Sequence, residues 1–380
     1  MNSIIQPCRK RSRLIACVII GLISFGALPG HAAEQGRTEN VILITTDGLR
    51  WQEVFSGADP ELMNKEQGGV ANTNALAKAY WRETPEARRE ALMPFFWKKI
   101  ARQGQLYGNQ NKGSVARITN DKRFSYPGYN EILTGYANPE ITSNAKILNP
   151  TPTVLEWLQH QPGFQNSVAA FSAWDVIPFI INRERCGFPV MGGWEPVPGK
   201  SPSPRMALLN ELIRDTTPEN DAEVYDAFIY QAAREYLVTR HPRVLYVGFL
   251  ETDHWGHSGR YDNVLRTAHQ VDDYVRRLWE TAQSLDQYRD KTTFILTTDH
   301  GRGLAPENWK HHGAKIDGAE NIWMAFLGPD TAALGERTDC ESVTQSQIAA
   351  TLAAFLGEDY GKSVPAAGQP ITEVLSRTGK

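Results

Sequence analysis

The chain has 380 residues, of which 41% are hydrophobic and 22% charged, and its formal net charge is −3 at pH 7. These values are ordinary for a globular protein and exclude a disordered chain, a collagen-like repeat and a protein that crosses the membrane many times. The near balance of 40 basic and 43 acidic residues lacks the basic excess of nucleic-acid-binding proteins, so we expect no nucleic-acid partner.

The first 33 residues have the three-part layout of a secretory signal peptide. A basic start at residues 9–13 precedes an apolar run at residues 14–28, and small residues follow at Gly30, Ala32 and Ala33. An apolar run of about fifteen residues is short for a membrane span and typical of a signal sequence, although an uncleaved anchor is the alternative. We therefore expect a signal peptide at 1–33, one catalytic domain at 34–380, and an exported protein, periplasmic or secreted, that meets the membrane only through its transient signal peptide.

Cleavage after residue 33 would change the charge and the cysteine content of the chain. The removed segment carries four basic residues and no acidic residue, so the net charge would become −7. It also carries two of the four cysteines, which leaves Cys186 and Cys340. An oxidising compartment permits a disulfide between them, but the sequence leaves both this bond and the oligomeric state open.

Apolar runs rich in β-branched residues predict the strands of a buried, mostly parallel sheet. These strands are expected at 41–46, 167–172, 243–250, 292–298 and 322–327. Helical patterns lie between them, near 94–102, 127–134, 153–160, 222–240, 263–285 and 346–355. Alternating strands and helices predict an α/β fold whose mostly parallel central sheet lies between helical layers.

The segment at 174–204 differs from the rest in composition, because it contains six prolines and four glycines. Such a segment is expected to be a long inserted excursion rather than a regular element. It is either a lid or substrate wall at the functional site, or a surface loop that packs on the body of the domain.

An acidic residue follows the carboxyl end of each of the three strongest strands. Asp47 follows the strand at 41–46, Asp253 lies shortly after the strand at 243–250, and Asp299 follows the strand at 292–298. Ligands bind at the carboxyl edge of open parallel sheets. Three carboxylates gathered there would repel one another unless cations compensate them, so this pattern predicts a metal site.

Imidazole side chains cluster in the same part of the sequence. His257 lies four residues after Asp253, His300 directly follows Asp299, and His312 precedes a glycine after a short loop. Mixed carboxylate and imidazole ligands suit zinc first and manganese second. We therefore expect divalent metal ions, Zn²⁺ or else Mn²⁺, as the cofactors.

Ser125 stands at the start of a predicted helix. Pro127 suits the first turn of that helix, whose free N–H groups and dipole favour an alkoxide or a phosphate. A serine in this position is often only an N-cap, so the motif gains meaning only from its place among the others.

The order of these motifs resembles the alkaline phosphatase superfamily, and most closely its nucleotide pyrophosphatase/phosphodiesterase-type metalloenzymes. The resemblance covers residues 41 to about 330. The motifs, in chain order, are Asp47, Ser125 before a helix, Asp253-x-x-x-His257, Asp299-His300-Gly301 and His312-Gly313.

The resemblance implies a two-metal hydrolase with an alkaline phosphatase-like fold. One metal would be bound by Asp47, Asp299 and His300, with Ser125 as the catalytic nucleophile that touches this metal. The other would be bound by Asp253, His257 and His312. The implied reaction is the hydrolysis of small phosphate-ester substrates through a phosphoserine intermediate.

The substrate class stays open at this stage. Monoester and diester hydrolysis are both compatible with the motifs, and a nucleotide pyrophosphatase/phosphodiesterase is the first alternative. A monoester dianion needs additional positive charge, which Arg302, Lys310 or Lys315 could supply, although such residues are more often solvated loop charges.

Two further alternatives are less favoured. Sulfatases generate a formylglycine from a motif with a proline two residues after the nucleophile and an arginine four residues after it; Ser125 and Pro127 fit, but Tyr129 replaces the arginine. A non-catalytic metal-binding protein could retain such a site. The presence of every proposed ligand together with the nucleophile argues against that alternative.

Overall fold

An eight-stranded sheet forms the centre of the computed structural model, which describes residues 37–199 and 201–375. The strand order across this sheet is β5-β4-β6-β1-β7-β8-β2-β9, and β10 and β3 form a separate parallel pair. The strands are β1 Asn40–Thr46, β2 Gln105–Tyr107, β3 Ala116–Arg117, β4 Val168–Ser172, β5 Val190–Gly192, β6 Val244–Phe249, β7 Thr292–Thr297, β8 Met324–Leu327, β9 Gly335–Glu336 and β10 Val343–Thr344.

The central strand β1 pairs in parallel with β6 on one side and with β7 on the other. Every residue of these three strands is buried, which explains why their sequences are apolar runs without alternation. Strand β8 is antiparallel to both β7 and β2, whereas the other pairings are parallel. The predicted α/β fold with a mostly parallel sheet flanked by helices is confirmed.

Fifteen α-helices accompany these strands within the described residues. They are α1 Trp51–Ser56, α2 Lys65–Gly68, α3 Thr73–Tyr80, α4 Pro85–Leu92, α5 Ala101–Gln103, α6 Ser125–Thr134, α7 Val154–Gln159, α8 Ile177–Ile180, α9 Pro204–Asp215, α10 Asp226–Arg240, α11 Glu251–His257, α12 Tyr261–Ser284, α13 Ile348–Phe355, α14 Tyr360–Ser363 and α15 Thr372–Leu375. A π-helical turn at Phe96–Ile100 and 3₁₀ turns at Pro60–Leu62, Gln110–Lys112 and Gln345–Gln347 complete the set. Among these described helices, none combines the length and apolar character required to cross a membrane.

The segment at 174–204 contains more regular structure than its composition predicts. It includes α8 and the strand β5, which pairs in parallel with β4 at one edge of the sheet. The expectation of an excursion without regular elements is therefore wrong for this part, because a three-residue strand next to Pro189 is too short to show a periodicity. Its role as a lid or substrate wall stays a prediction.

The predicted signal peptide, 1–33, lies outside the described residues. Cys186 and Cys340 are both free in the described part of the chain, so no disulfide joins them there.

The register of the central strands brings three chain segments to one edge of the sheet. Thr46 of β1 lies beside Phe249 of β6, and Thr45 lies beside Thr297 of β7. Parallel neighbours end at the same edge, so the residues that follow β1, β6 and β7 converge there.

Candidate active site

Three fully buried residues at this edge form what we call the inner group: Asp47, Asp299 and His300. His300 Nε2 lies 3.4 Å from Asp47 Oδ1 and 3.4 Å from Asp299 Oδ2. Neither carboxylate oxygen has a hydrogen-bond partner among the described residues. Buried, unpartnered carboxylate oxygens are costly, and their convergence on an imidazole nitrogen is the donor set of a divalent cation. The residues present therefore fit the metal that the sequence predicts.

Each side chain of the inner group is oriented by its other polar atom. Asp47 Oδ2 accepts a hydrogen bond from Tyr129 Oη at 3.0 Å, and Asp299 Oδ1 accepts one from the Gly48 backbone N–H at 3.1 Å. His300 Nδ1 lies 2.9 Å from its neighbour's carbonyl oxygen, which directs Nε2 toward the carboxylates. Such outer contacts hold metal ligands in the geometry and tautomer needed for binding.

The charges of the inner group need a compensating cation. Burial and then the neighbouring Asp253 carboxylate raise the pKa of Asp47, and burial and then Asp47 raise the pKa of Asp299. Both carboxyl groups therefore resist ionisation in the metal-free protein. A divalent ion between them would favour their charged forms.

The outer group, Asp253, His257 and His312, lies next to the inner group. Helix α11 places Asp253 and His257 four residues apart on one face, with Asp253 Oδ2 at 3.3 Å from His257 Nε2. The Nε2 atoms of His257 and His312 are 2.8 Å apart, and His312 Nε2 is 3.8 Å from Asp253 Oδ1. The His257 side chain is 48% exposed and that of His312 is 12% exposed. The outer group is thus close-packed but open to solvent.

His312 is held in the neutral form that binds metals. Its Nδ1 lies 3.3 Å from the carbonyl oxygen of Arg123, so its Nε2 faces the site. Burial and the nearby His300 ring lower the pKa of His312 to about 2.

His300 links the two groups, which the sequence assignment does not anticipate. Its Nε2 lies 3.9 Å from Asp253 Oδ1, and its ring stacks on that of His312 with centroids 4.0 Å apart. Asp253, His300 and His312 consequently form a second set of possible ligands beside Asp47, Asp299 and His300.

Ser125 is the first residue of α6, and its Oγ lies 3.4 Å from His300 Nε2. The residue before it, Phe124, is the N-cap, and the N–H of Tyr126 is capped instead by Asn144 Oδ1 at 2.9 Å. The structural alternative, in which Ser125 serves only as an N-cap, is therefore wrong. Its hydroxyl is directed at the ligand groups and is 6% exposed.

Helix α6 approaches the sheet very closely at Gly128. A Cβ atom at this position would lie 2.3 Å from the carbonyl oxygen of Asp299, so any side chain would force the helix away. One turn after Ser125, the same helix presents Tyr129 to Asp47.

The structure brings together all seven predicted site residues. Three further residues support them, and the sequence does not predict this role for any of the three. Tyr129 contacts Asp47, and its position four residues after Ser125 is a signal that could have been used. Asn144 caps the helix that begins at Ser125 across 18 residues of chain, for which no sequence pattern exists. Arg302, considered only as a charge near the motifs, is buried and bonded to the Asp253 side chain and carbonyl oxygen.

Comparison with known proteins gives one family and a set of related folds. The sequence matches the family profile described as Sulfatase over residues 39–357. Wild-type alkaline phosphatase PafA is 12% identical, with a TM-score of 0.58 over 91% of this chain and 100% of that chain. No curated protein matches the sequence.

Two further solved structures share the fold. A 2-O GAG sulfatase is 14% identical, with a TM-score of 0.57 over 90% of this chain and 76% of that chain. A protein in the alkaline phosphatase superfamily from Vibrio parahaemolyticus is 14% identical, with a TM-score of 0.50 over 90% of this chain and 72% of that chain. At these identities the likeness concerns the fold alone.

Proposed function

This chain belongs to the sulfatase family of the alkaline phosphatase superfamily, whose members are hydrolases, and from that premise we propose that it is an exported, metal-dependent hydrolase of small phosphate esters. The observation that carries the proposal is the position of Ser125. Its hydroxyl, freed from helix capping, lies 3.4 Å from His300 Nε2, beside buried carboxylate oxygens that have no partner in the described chain.

The inner group and the outer group would each hold one divalent ion, with zinc as the first choice and manganese as the second. Bound ions of this kind lower the pKa of a coordinated hydroxyl and stabilise the charge that develops on the oxygens of a transferring phosphoryl group. The chain itself supplies the nucleophile, the orientation of the ligands and a largely buried site.

The proposed reaction has two steps. Ser125 Oγ forms a bond to phosphorus while the bond to the leaving alcohol breaks, and the serine proton passes to solvent as the alcohol takes one up. The dipole of α6 favours negative charge at its N-terminus, where Ser125 lies. Water then cleaves the Oγ–phosphorus bond and restores the serine, with release of inorganic phosphate if the substrate is a monoester or of a phosphate monoester if it is a diester.

Sulfate-ester hydrolysis is the second candidate, because the family match supports it equally and Ser125 and Pro127 suit the sulfatase motif. The residue at position 129 favours phosphate-ester hydrolysis. The formylglycine motif requires an arginine there, whereas Tyr129 is buried and donates a hydrogen bond to Asp47. The question of substrate class also includes the preference for monoesters or diesters and any closeness to nucleotide pyrophosphatases.

A panel of aryl phosphate, aryl phosphodiester and aryl sulfate substrates tests the proposal on zinc-reconstituted protein. We expect turnover of a phosphate ester that falls by at least about 10³-fold in Ser125→Ala, with unchanged metal content. Ser342→Ala, which changes an exposed serine, is the matched control.

Three outcomes would contradict parts of this proposal. Full activity in Ser125→Ala would remove the serine from its role as nucleophile. Turnover of the sulfate ester alone would favour the second candidate. Inactivity on all three substrates at full metal occupancy would indicate a non-catalytic metal-binding protein.

A further inference from the structure

Arg302 is a buried cation that contacts the outer group directly, and it is 3% exposed. Its Nη2 donates to the carbonyl oxygen of Asp253 at 3.0 Å and also to Oδ1 of the same residue. Its Nη1 donates to the carbonyl oxygen of Lys310 at 2.6 Å. The guanidinium is therefore bonded to two backbone segments as well as to one candidate metal ligand.

Two glycines leave room for this guanidinium. A Cβ atom at Gly48 would lie 2.9 Å from Arg302 Nε, and a Cβ atom at Gly256 would lie 2.8 Å from Arg302 Cζ. Gly48 follows β1 and Gly256 lies in α11, so residues about 200 positions apart form a slot for one side chain. A slot of this kind fixes the positive charge in place.

We infer that Arg302 holds a fixed positive charge beside the outer group. This charge makes the outer group bind its divalent ion more weakly than the inner group binds its own. The inference rests on the proposed two-ion site, but it requires no particular substrate. The basis of the inference is ligand charge, since affinity for a cation rises with the uncompensated negative charge of the ligands.

The two groups differ sharply in that charge. In the ionised form that a divalent ion would favour, the inner group presents two carboxylates, each with a buried oxygen that has no hydrogen-bond partner among the described residues. The outer group has one carboxylate, and Arg302 already occupies its Oδ1. Its Oδ2 remains near His257 Nε2, at 3.3 Å, so one oxygen is left for an ion.

A weak outer site would make the second ion exchangeable. The ion of the inner group would stay bound while the outer group gains or loses its ion with the free concentration of divalent metal. Activity that needs both ions would then follow the metal supply in the surroundings of the protein.

Zinc titration of the full, metal-free chain, with a chelator in competition, tests the inference. We expect two binding events in the unmodified protein, with dissociation constants at least tenfold apart. Arg302→Met should tighten the weaker event at least tenfold and change the stronger one much less, so that the two dissociation constants move closer together. Arg302→Lys keeps the positive charge and should keep the separation, and His257→Ala should abolish only the weaker event.

Gly256→Ala provides a second route if Arg302→Met does not fold. The added methyl group displaces the guanidinium without removing it, and alanine suits a helix interior better than glycine. It should tighten the weaker event in the same direction.

Two results would overturn the inference, and they differ from failure of the proposed site. Two events of equal affinity in the unmodified protein, or an unchanged separation in Arg302→Met, would remove the role of Arg302 while leaving a two-ion site. A single event that is insensitive to His257→Ala would overturn the two-ion site and the inference together.

Discussion

The inner and outer ligand groups are built from different parts of the fold. Asp47, Asp299 and His300 lie within three residues of the carboxyl ends of the buried strands β1 and β7, and all three are inaccessible to solvent. Asp253 and His257 come from the short helix α11, His312 comes from a loop, and His257 is half exposed. Ligands at the ends of central strands inherit the rigidity of the sheet, whereas ligands on short helices and loops leave a site open for exchange.

The strongest test of this contrast is Asp299→Asn. The change removes one unpartnered carboxylate charge from the inner group, so we expect loss of the tightly bound ion. Turnover should fall by at least about 10³-fold, because the proposed nucleophile Ser125 and its neighbours would act as a unit. Metal analysis together with kinetics measures both effects. Retention of the tight ion would show that the inner group is not the stronger site.

Gly48→Ala should damage both groups at once. Gly48 has φ +57°, and an added Cβ would lie 2.6 Å from Asp253 Oδ1 and 3.2 Å from His300 Cε1. We expect a loss of about 1–3 kcal/mol in the free energy of unfolding. Both ions should bind more weakly, because the methyl group, unlike that of Gly256→Ala, would crowd the ligands Asp253 and His300 themselves and not Arg302 alone.

Gly357→Ala is the matched control for that change. Gly357 also has a positive φ, +80°, but an added Cβ would meet nothing within 4 Å. Its cost should be backbone strain alone, about 1–2 kcal/mol, with metal binding intact. Denaturant unfolding and zinc titration of both variants distinguish the effect of backbone strain from that of the close contacts of the added Cβ. Equal effects of the two variants on zinc binding would argue against the crowding at Gly48.

Tyr129→Phe should weaken the inner group alone. The change removes the hydrogen bond to Asp47 Oδ2, and loss of such an outer contact typically costs 10–100-fold in metal affinity, so we expect a factor of about 10–100 here. Tyr126→Phe, on the same helix, loses only a bond to the Ile147 carbonyl oxygen and serves as the control. A weaker outer site in Tyr129→Phe would show that the two groups are not independent.

The metal-free chain should respond to pH in the direction set by the inner group. The pKa values of Asp47 and Asp299 are raised by burial and by neighbouring carboxylates, so their contribution to stability is complete below about pH 4, the usual pKa of Asp, and is lost as the pH rises through the raised values. Each group contributes a slope of at most about 1.4 kcal/mol per pH unit. Thermal unfolding across pH, with and without zinc, checks this, and zinc should remove the loss. An unchanged loss with zinc bound would place the ion elsewhere.

The sequence predicts the inner group better than its surroundings. The Thr-Thr-Asp endings at residues 45–47 and 297–299 mark two parallel strands, and such strands bring their ends together by rule. The six predicted helices also correspond to α-helices or, near 94–102, to a π-helical turn followed by α5. These strands and helices are predictable because the periodicity of apolar residues within each segment indicates its secondary structure.

What the sequence does not predict depends on contacts between distant segments. The direction of β8 follows from its pairing with β7, which no pattern within 322–327 encodes. Helices α3 and α4 escape notice because they are short and each buries only one or two apolar side chains, which is too few to show a helical period. The slot for Arg302 requires Gly48 and Gly256 to meet in space, and each glycine alone resembles an ordinary turn or helix residue.

The contact at Gly128 has a consequence for how this site can change. The separation between helix α6 and the end of β7 is determined by two backbones that touch, because an added Cβ would lie 2.3 Å from the Asp299 carbonyl oxygen. The proposed nucleophile at position 125 can therefore be exchanged for another small residue while the spacing is preserved. Position 128 has no such freedom, because every substitution there would also move residue 125. The chemistry of the site is thus adjustable at one point of the helix and fixed at another, three residues away.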